Sequence, residues 1–146
     1  MAREKVKIKG LRDIQKRLAV IEKETTRRTV ARNSLKAGGK VIADEAERRA
    51  PEDEGTLRRS IGVSTRLSRR QRRRQKKRDP VEVYAGAASS SNAIQQEYGN
   101  INHAAQPFMR PAYDAKKRPA LTTIIDYLRQ ATEKSIARQA KKRAGK

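Results

Sequence analysis

The chain has 146 residues, the length of one ordinary domain, and no internal repeat or long Gly, Ser and Pro stretch divides it. Its 37 Lys and Arg against 16 Asp and Glu give a formal net charge of +21, where about 2 to 8 is enough to keep a small domain soluble. The absence of Cys excludes disulfides and zinc-thiolate sites, and without an apolar signal core or an apolar run near about 18 residues, we expect neither secretion through a signal peptide nor a membrane span.

The first half of the chain is predicted to be a strand followed by two helices. Residues 6–9 alternate apolar and basic side chains, which is typical of a short strand, and Gly10 ends it. Apolar residues then recur at helical spacing from Leu11 to Ile21. A second helix is predicted over residues 29–49, where the rows are rich in Ala and Gly, and Pro51 ends it.

The pair Gly38-Gly39 lies inside the second predicted helix. No Gly-rich loop followed by Lys and Ser or Thr occurs here after a strand, so a phosphate cradle is disfavoured. We interpret the two glycines as a site of close packing or a kink.

Two strands with a long basic connection come next. Apolar side chains alternate over residues 61–67 and again over residues 81–85, which predicts a hairpin. Its connection, residues 68–80, is far longer than the two to five residues usual for a hairpin loop. We expect this loop either to protrude, kept extended by repulsion among its cations, or to be disordered without a partner.

The last third of the chain is predicted to be mainly helical. Residues 94–98 form a brief helix or strand, and an amphipathic helix follows over residues 121–136, with Pro119 in its first turn. The predicted fold class is therefore α+β, a small antiparallel sheet with a long basic hairpin packed against two or three helices. Residues 1–137 form the single domain, and residues 138–146 are a basic, flexible tail.

Short motifs in a fixed order point to a family. The first is Ala50-Pro51, Asp53, Gly55 and Leu57-Arg58-Arg59-Ser60-Ile61; the later ones are Glu97-Tyr98-Gly99 and Pro107-Phe108-Met109-Arg110-Pro111-Ala112. With these motifs, the chain resembles the tail-completion, or head-to-tail joining, proteins of long-tailed double-stranded DNA bacteriophages, sometimes called neck or minor tail proteins. The resemblance runs nearly end to end, but the acidic Glu52 and Glu54 and the strongly basic loop depart from the usual pattern.

The resemblance implies a non-enzymatic structural protein of the virion. Such a protein assembles into a ring, expected to be hexameric, which caps the tail tube and joins it to the head connector around the DNA channel. The implied partners are further copies of the chain, a head connector or stopper protein, a tail tube or tail terminator protein and double-stranded DNA, with no membrane and no cofactor. The implied location is the head-tail junction, reached from the host cytoplasm during assembly.

The motifs also have a physical interpretation of their own. Pro51 and Gly55 predict a sharp reversal, in which Asp53 hydrogen-bonds its local backbone as an Asx-type turn. Phe108 is the only Phe and lies between two prolines, so it is a rigid apolar anchor. Either it fills the domain's own core, or it docks on a neighbouring subunit as a hot spot. The candidate subunit-interface residues are Glu97, Tyr98, Gly99, Pro107, Phe108, Met109, Arg110 and Pro111.

The basic loop is the second candidate site. Its nine cations predict a bound polyanion rather than a merely solvated segment. They are Arg66, Arg69, Arg70, Arg72, Arg73, Arg74, Lys76, Lys77 and Arg78. Two partners remain open: DNA phosphates, bound without regard to sequence, or an acidic groove of an adjacent protein ring.

No reaction centre or metal site emerges from the sequence. The single His103 lacks a nearby cluster of ligands and is interpreted as a loop residue. Asp44, Glu45 and Glu47 are of the types used by metal-dependent nucleases, but exposed helical carboxylates beside arginines are ordinary. The alternative to a tail protein is a cytoplasmic, non-sequence-specific nucleic-acid-binding module of ribosomal-protein type, although the chain lacks a stacking platform of aromatic residues.

Overall fold

A computed structural model of the chain describes residues 11–21, 23–52, 55–76, 78–88 and 92–145. The elements in these ranges are α1 (Leu11–Ala19), α2 (Glu24–Arg49), α3 (Thr56–Ser60), β1 (Ile61–Ser64), α4 (Arg69–Arg74), β2 (Tyr84–Ala87), α5 (Asn92–Tyr98) and α6 (Met109–Ala144). β1 and β2 form an antiparallel sheet that packs on α2, so the α+β class is confirmed. The strand predicted at residues 6–9 lies outside the described residues. No helix in the described ranges is long and apolar enough to cross a bilayer.

The two long helices, α2 and α6, form the main layer and run antiparallel. Near the end of α2, Ala46 and Ala50 share a buried cluster with Ala112 at the start of α6. Earlier in α2, Gly38 meets Ala120 and Ile124. Side chains this small let the two backbones approach closely, as the rows of Ala and Gly predict. Most apolar side chains buried in the described part of the chain are alanines, so this core is thin.

The glycine pair in α2 serves both faces of the helix. A Cβ atom at Gly38 would overlap Ile124 Cγ1 and would lie 2.9 Å from the carbonyl oxygen of Ala120, which is backbone and cannot rotate away. At Gly39 a Cβ atom would lie 3.3 Å from Val63 Cγ1 in the sheet. The glycines therefore serve packing, on α6 and on the sheet respectively.

These contacts predict that alanine is tolerated at Gly39 but not at Gly38. Gly38→Ala is expected to lower the free energy of unfolding by about 2 kcal/mol, because overpacking outweighs the gain of up to about 1 kcal/mol in helix propensity. Gly39→Ala is the matched control and should change it by less than about 1 kcal/mol, since the Val63 side chain can shift. Urea denaturation of both variants measures the difference. Equal losses would contradict the close crossing of α2 and α6.

The turn after α2 follows the predicted reversal. Ala50 caps the helix in an extended conformation, and Pro51 comes next. Gly55 has a φ of 68°, a left-handed conformation that favours glycine, and precedes α3. Arg58 Nε donates to the carbonyl oxygen of Ala50, at 3.1 Å, and so ties the two ends of the turn together. The Asx turn predicted at Asp53 lies outside the described residues.

The hairpin is confirmed, but its strands are shorter than predicted. Ile61 pairs with Ala87 and Ser64 with Tyr84, so the predicted strand residues 65–67 and 81–83 fall outside the sheet. The reason is local: the Ser64 hydroxyl bonds both the N–H and the carbonyl oxygen of Arg66, each at 3.0 Å, and turns the chain. Residues 65–83, which we call the basic arm, therefore leave the sheet at Ser64 and return at Tyr84.

The last helix is much longer than predicted. α6 begins at Met109, so Pro119 lies inside the helix and its predicted place in the first turn is wrong. A distant carboxylate caps the true start, as described below, and local sequence does not reveal it. The helix continues to Ala144, so residues 138–144 of the predicted tail are helical. The division of the chain into one domain and a tail stays a prediction.

Candidate functional site

The basic arm contains a capped helical turn instead of an extended loop. The Ser68 hydroxyl accepts the Gln71 N–H at 3.3 Å, and the Gln71 side chain accepts the Ser68 N–H at 3.1 Å. This reciprocal capping box begins α4. It supplies hydrogen bonds that offset the repulsion among the arginines, so the expectation of an extended loop is wrong. The Ser-x-x-Gln spacing is visible in the sequence and could have predicted the start of α4 at this point.

The cations of the arm are exposed and unpaired. Arg66, Arg69, Arg70, Arg72, Arg73, Arg74, Lys76 and Arg78 are all exposed, and within the described ranges none forms an ion pair with a carboxylate. Lys77 lies outside the described residues. Because like charges concentrated this way repel one another, the arm is poised to gain from an anionic partner.

The return of the arm to the sheet is organised by one carboxylate. Glu82 Oε1 accepts the N–H groups of Arg78 and Asp79, at 2.7 and 3.0 Å. The Tyr84 hydroxyl donates to the same carboxylate, and this hydrogen bond, with burial, raises the pKa of Tyr84. Between α4 and the sheet lies an open cleft of about 400 Å³, lined on the α4 side by Gln71. The hydrogen bonds of Glu82 therefore hold the segment that connects the arginines of α4 to the sheet.

The second candidate site is the corner where α5 leads into α6, which we call the α5–α6 corner (residues 94–111). Glu97 is 6% exposed, and its carboxylate accepts the backbone N–H groups of Phe108, Met109 and Arg110 at 2.9 to 3.0 Å. These are donors at the start of α6, which has no cap from its own neighbouring side chain. Glu97 is therefore the N-terminal cap of the longest helix, supplied from the preceding helix.

Arg110 locks the same corner from outside. Its Nε donates to Glu97 Oε1 at 3.0 Å, and its Nη2 donates to the Glu97 carbonyl oxygen at 3.1 Å. Its guanidinium also lies 4.8 Å from the centre of the Tyr98 ring, a cation–π distance. Gly99 has a φ of 74°, and a Cβ atom there would lie 2.8 Å from the Ala105 nitrogen. The Glu-aromatic-Gly and Pro-Phe-aliphatic-Arg motifs are thus one hydrogen-bonded unit.

The structure separates the predicted interface residues into two groups. Phe108 is 1% exposed and lies in the chain's own core, against Ala46, Ala50 and Ala112. This burial agrees with the first of its two interpretations, and a role for Phe108 in a subunit interface stays a prediction. Glu97 is likewise buried and used internally, a capping role that sequence reasoning missed. Tyr98, Pro107 and Arg110 are exposed, and Gly99, Met109 and Pro111 are half-buried.

Within this corner, two exposed apolar residues, Ile94 and Ile101, were not among the predicted interface residues. Ile94 and Tyr98 are 71% and 65% exposed and lie one helical turn apart on α5, and Ile101 follows, fully exposed, in the turn after it. The spacing of four residues between Ile94 and Tyr98 was the readable signal. Three large apolar side chains exposed together are typical of an interaction surface.

Two of the residues considered for chemistry, Glu45 and His103, make structural contacts. Glu45 is buried, so its interpretation as an exposed carboxylate is wrong. A hydrogen bond from Arg49, at 2.7 Å, lowers the pKa of Glu45 against the opposing effect of burial, and Arg48 and Lys116 reinforce the lowering. His103 pairs with Asn100 in an isolated bridge, as a loop residue, and its Nε2 lies 3.1 Å from Gln96 Oε1. The described residues hold no group of three potential metal ligands.

Comparison with known proteins identifies a family. The family model for HK97-gp10-like proteins, described as a tail component of bacteriophage HK97-gp10 type, matches residues 12–99. This span covers α1 to α5, including the basic arm and Glu97. No curated protein and no solved structure matches the chain.

Proposed function

Because the chain belongs to the HK97-gp10-like family of bacteriophage tail components, we propose that it completes the tail and joins it to the head connector. It does so as one subunit of a ring around the DNA channel. The ring is hexameric in this proposal, its place is the head-tail junction of the virion, and its assembly takes place in the host cytoplasm. The protein acts by forming interfaces, without a cofactor and without catalysis.

The observation that carries the proposal is the presence of two exposed surfaces of different chemistry within one family domain. The exposed apolar side chains of Ile94, Tyr98 and Ile101 suit contact with another protein copy. The unpaired cations of the basic arm suit a polyanion. A ring subunit at a DNA channel needs both kinds of contact, one to its neighbour and one to what passes through or abuts the ring.

The rigid α5–α6 corner supports the assignment of the lateral contact. Tyr98 and Arg110 are held together by the cation–π contact and by Glu97, so they are presented in one geometry before any partner arrives. Preorganised aromatic and arginine side chains are typical of residues that dominate binding energy. We propose that they contact the next subunit, and that the outer faces of the ring meet the head connector or stopper on one side and the tail tube or tail terminator on the other.

The second candidate function is a nucleic-acid-binding module of the cytoplasm, favoured by the unpaired cations of the arm alone. The two functions differ in what happens to virions when the chain is missing. A phage that lacks this chain is expected to produce filled heads and separate tails, which electron microscopy of the lysate would count. Supplying the wild-type chain in trans should restore joined particles. Normal joined particles without the chain would overturn the proposal and favour the second candidate.

A further inference from the structure

A second set of unpaired cations lies on α2, outside the basic arm. Arg32 and Lys36 are exposed and stand one helical turn apart, about 6 Å along the axis. Neither has an ion-pair partner in the described part of the chain. By contrast, Arg48 and Arg49 at the other end of the helix are both paired with Glu45. The sequence analysis did not assign this pair of cations to any site.

The pair lies on the same side of α2 as the sheet. Gly39 marks that side, since a Cβ atom there would touch Val63 and Val83. At about 100° per residue, Arg32 lies within about 20° and Lys36 within about 60° of the direction of Gly39. Both are therefore on the helix face that the sheet covers further along, and they are exposed because the sheet ends before reaching them.

The basic arm leaves the sheet toward these two residues. Ile61 packs on the cluster of Ala46 and Ala50, whereas Val63, two residues on, contacts the position of Gly39. β1 therefore runs antiparallel to α2, and its last residue points toward the N-terminal half of that helix. The root of the arm, at residues 64–66, and the cations of α2 therefore lie toward the same end of the sheet, while α4 lies across the open cleft from the sheet.

The composition of the basic arm distinguishes between the two partners that remained open. Residues 68–76 contain only Ser, Arg, Gln and Lys, so no aromatic or aliphatic side chain is available there to fill a pocket on a protein. An acidic protein would gain only exposed ion pairs, each worth about 0 to 1 kcal/mol. A phosphate backbone needs only charge and donors, and arginine donates to phosphate in a bidentate way.

From these observations we infer that the basic arm and the α2 cations Arg32 and Lys36 together bind the phosphate backbone of duplex DNA, without regard to base sequence. The inference rests on the proposed function in that it names the polyanion at the same ring. Residues 68–76 supply no aromatic side chain on which a base could stack. The inference therefore assigns their arginines to phosphate contacts, which position DNA without reading its bases.

The test measures binding of the full chain to two short DNA duplexes of unrelated sequence over a range of salt concentrations. The arm variant replaces Arg69, Arg70, Arg72, Arg73 and Arg74 with Gln. The α2 variant is Arg32→Gln with Lys36→Gln. The matched control, Arg118→Gln with Arg129→Gln, removes the same charge as the α2 variant from exposed positions on the side of α6 away from Gly38. Circular dichroism checks that each variant is folded.

We expect equal affinity for the two duplexes. Each lost phosphate contact should reduce the slope of log affinity against log salt by about 0.9, so the α2 variant should lose about 1.8 and the arm variant more. The control should keep the wild-type slope. An α2 variant that behaves like the control would overturn the joint surface, and a control that loses as much as the α2 variant would show that only net charge matters.

A poly-glutamate chain of matched total charge tests the acidic-protein alternative. The inference expects DNA to remain bound in its presence; displacement of DNA at equal charge, with poly-glutamate binding weakened by the same variants, would replace DNA with an acidic protein as the partner. The outcome is separable from the proposed function. A wild-type chain that binds neither duplex, while phage particles are still joined, overturns only this inference, whereas separate heads and tails are the readout for the joining role.

Discussion

Replacing Glu97 with Ala is expected to lower the free energy of unfolding by about 3 kcal/mol, or roughly 10 °C in the melting temperature. The substitution leaves the N–H groups of Phe108, Met109 and Arg110 without their acceptor at the start of α6. It also leaves the Arg110 guanidinium without its carboxylate. Glu97→Gln should have an intermediate effect, because one amide oxygen can still accept but the charge is gone.

The control for this experiment is Glu47→Ala. Glu47 is an exposed carboxylate on α2, so its loss should change stability by no more than about 0.5 kcal/mol. Thermal melts and urea titrations of the three variants supply the comparison. If Glu97→Ala and Glu47→Ala melted together, α6 would not depend on the cap from α5.

The stability contributed by Glu97 has a defined dependence on pH. Burial raises the pKa of Glu97, but the hydrogen bonds from Met109, Phe108 and Arg110 outweigh burial, and the pKa lies below its ordinary value of 4.5. A carboxyl group with a lowered pKa stabilises the folded state above its unfolded pKa, and this contribution is lost as the pH falls through the folded pKa. The difference in the free energy of unfolding between the wild-type chain and Glu97→Gln should therefore become smaller below pH 4.5. The pKa of Glu45 is also lowered, but Glu45 is present in both proteins and contributes equally to the pH dependence of their stability.

Replacing Phe108 with Ala is expected to cost about 4 kcal/mol of stability, because it removes the one large aromatic ring from a core made mostly of alanines. The alanines of the cluster cannot extend into the cavity, and the partly buried Leu57, Ile61 and Met109 around it can fill it only in part. In a core this thin, we expect the variant to be largely unfolded at 37 °C. Phe108→Leu should retain more of the stability, since it leaves a smaller cavity. Circular dichroism and the melting temperature report both results.

Tyr98→Ala is the counterpart on the surface. Tyr98 is 65% exposed, so its truncation should leave the melting temperature of the monomer within a few degrees and should weaken self-association instead. Analytical ultracentrifugation of both variants separates the two roles. A folded Phe108→Ala chain that no longer assembles would instead make Phe108 an interface residue.

Much of the fold was predictable because its determinants are local. Helical spacing from Leu11 predicted α1, Pro51 predicted the end of α2, and alternation predicted the hairpin. The start of α2 was placed five residues late, since polar residues before Thr29 carry no apolar periodicity. Each of these signals lies within a few residues of the feature it specifies.

The errors arose where a distant or competing contact decides the structure. Glu97 caps α6 from eleven residues upstream, so Pro119 was mistaken for the start of that helix. Glu45 lies among arginines and would be exposed on an isolated helix, but packing beside Lys116 of α6 buries it. The capping box at Ser68 was local but was overlooked because charge repulsion was given more weight.

The candidate site was predictable in composition but not in arrangement. The cations of the arm were identified by their density, but the proposal that Arg32 and Lys36 act with them depends on how the sheet lies on α2. The residues of the proposed interface were selected by their motifs, but only the structure separates the buried Glu97 and Phe108 from the exposed Tyr98 and Arg110.

The most direct test of the joining role is electron microscopy of phage particles labelled with an antibody against this chain. We expect label at the head-tail junction of intact particles, one site per particle, with little on heads or along tails. Particles without label, in a lysate where the antibody finds the chain on nucleic acid, would contradict the account and leave the binding module as the better description.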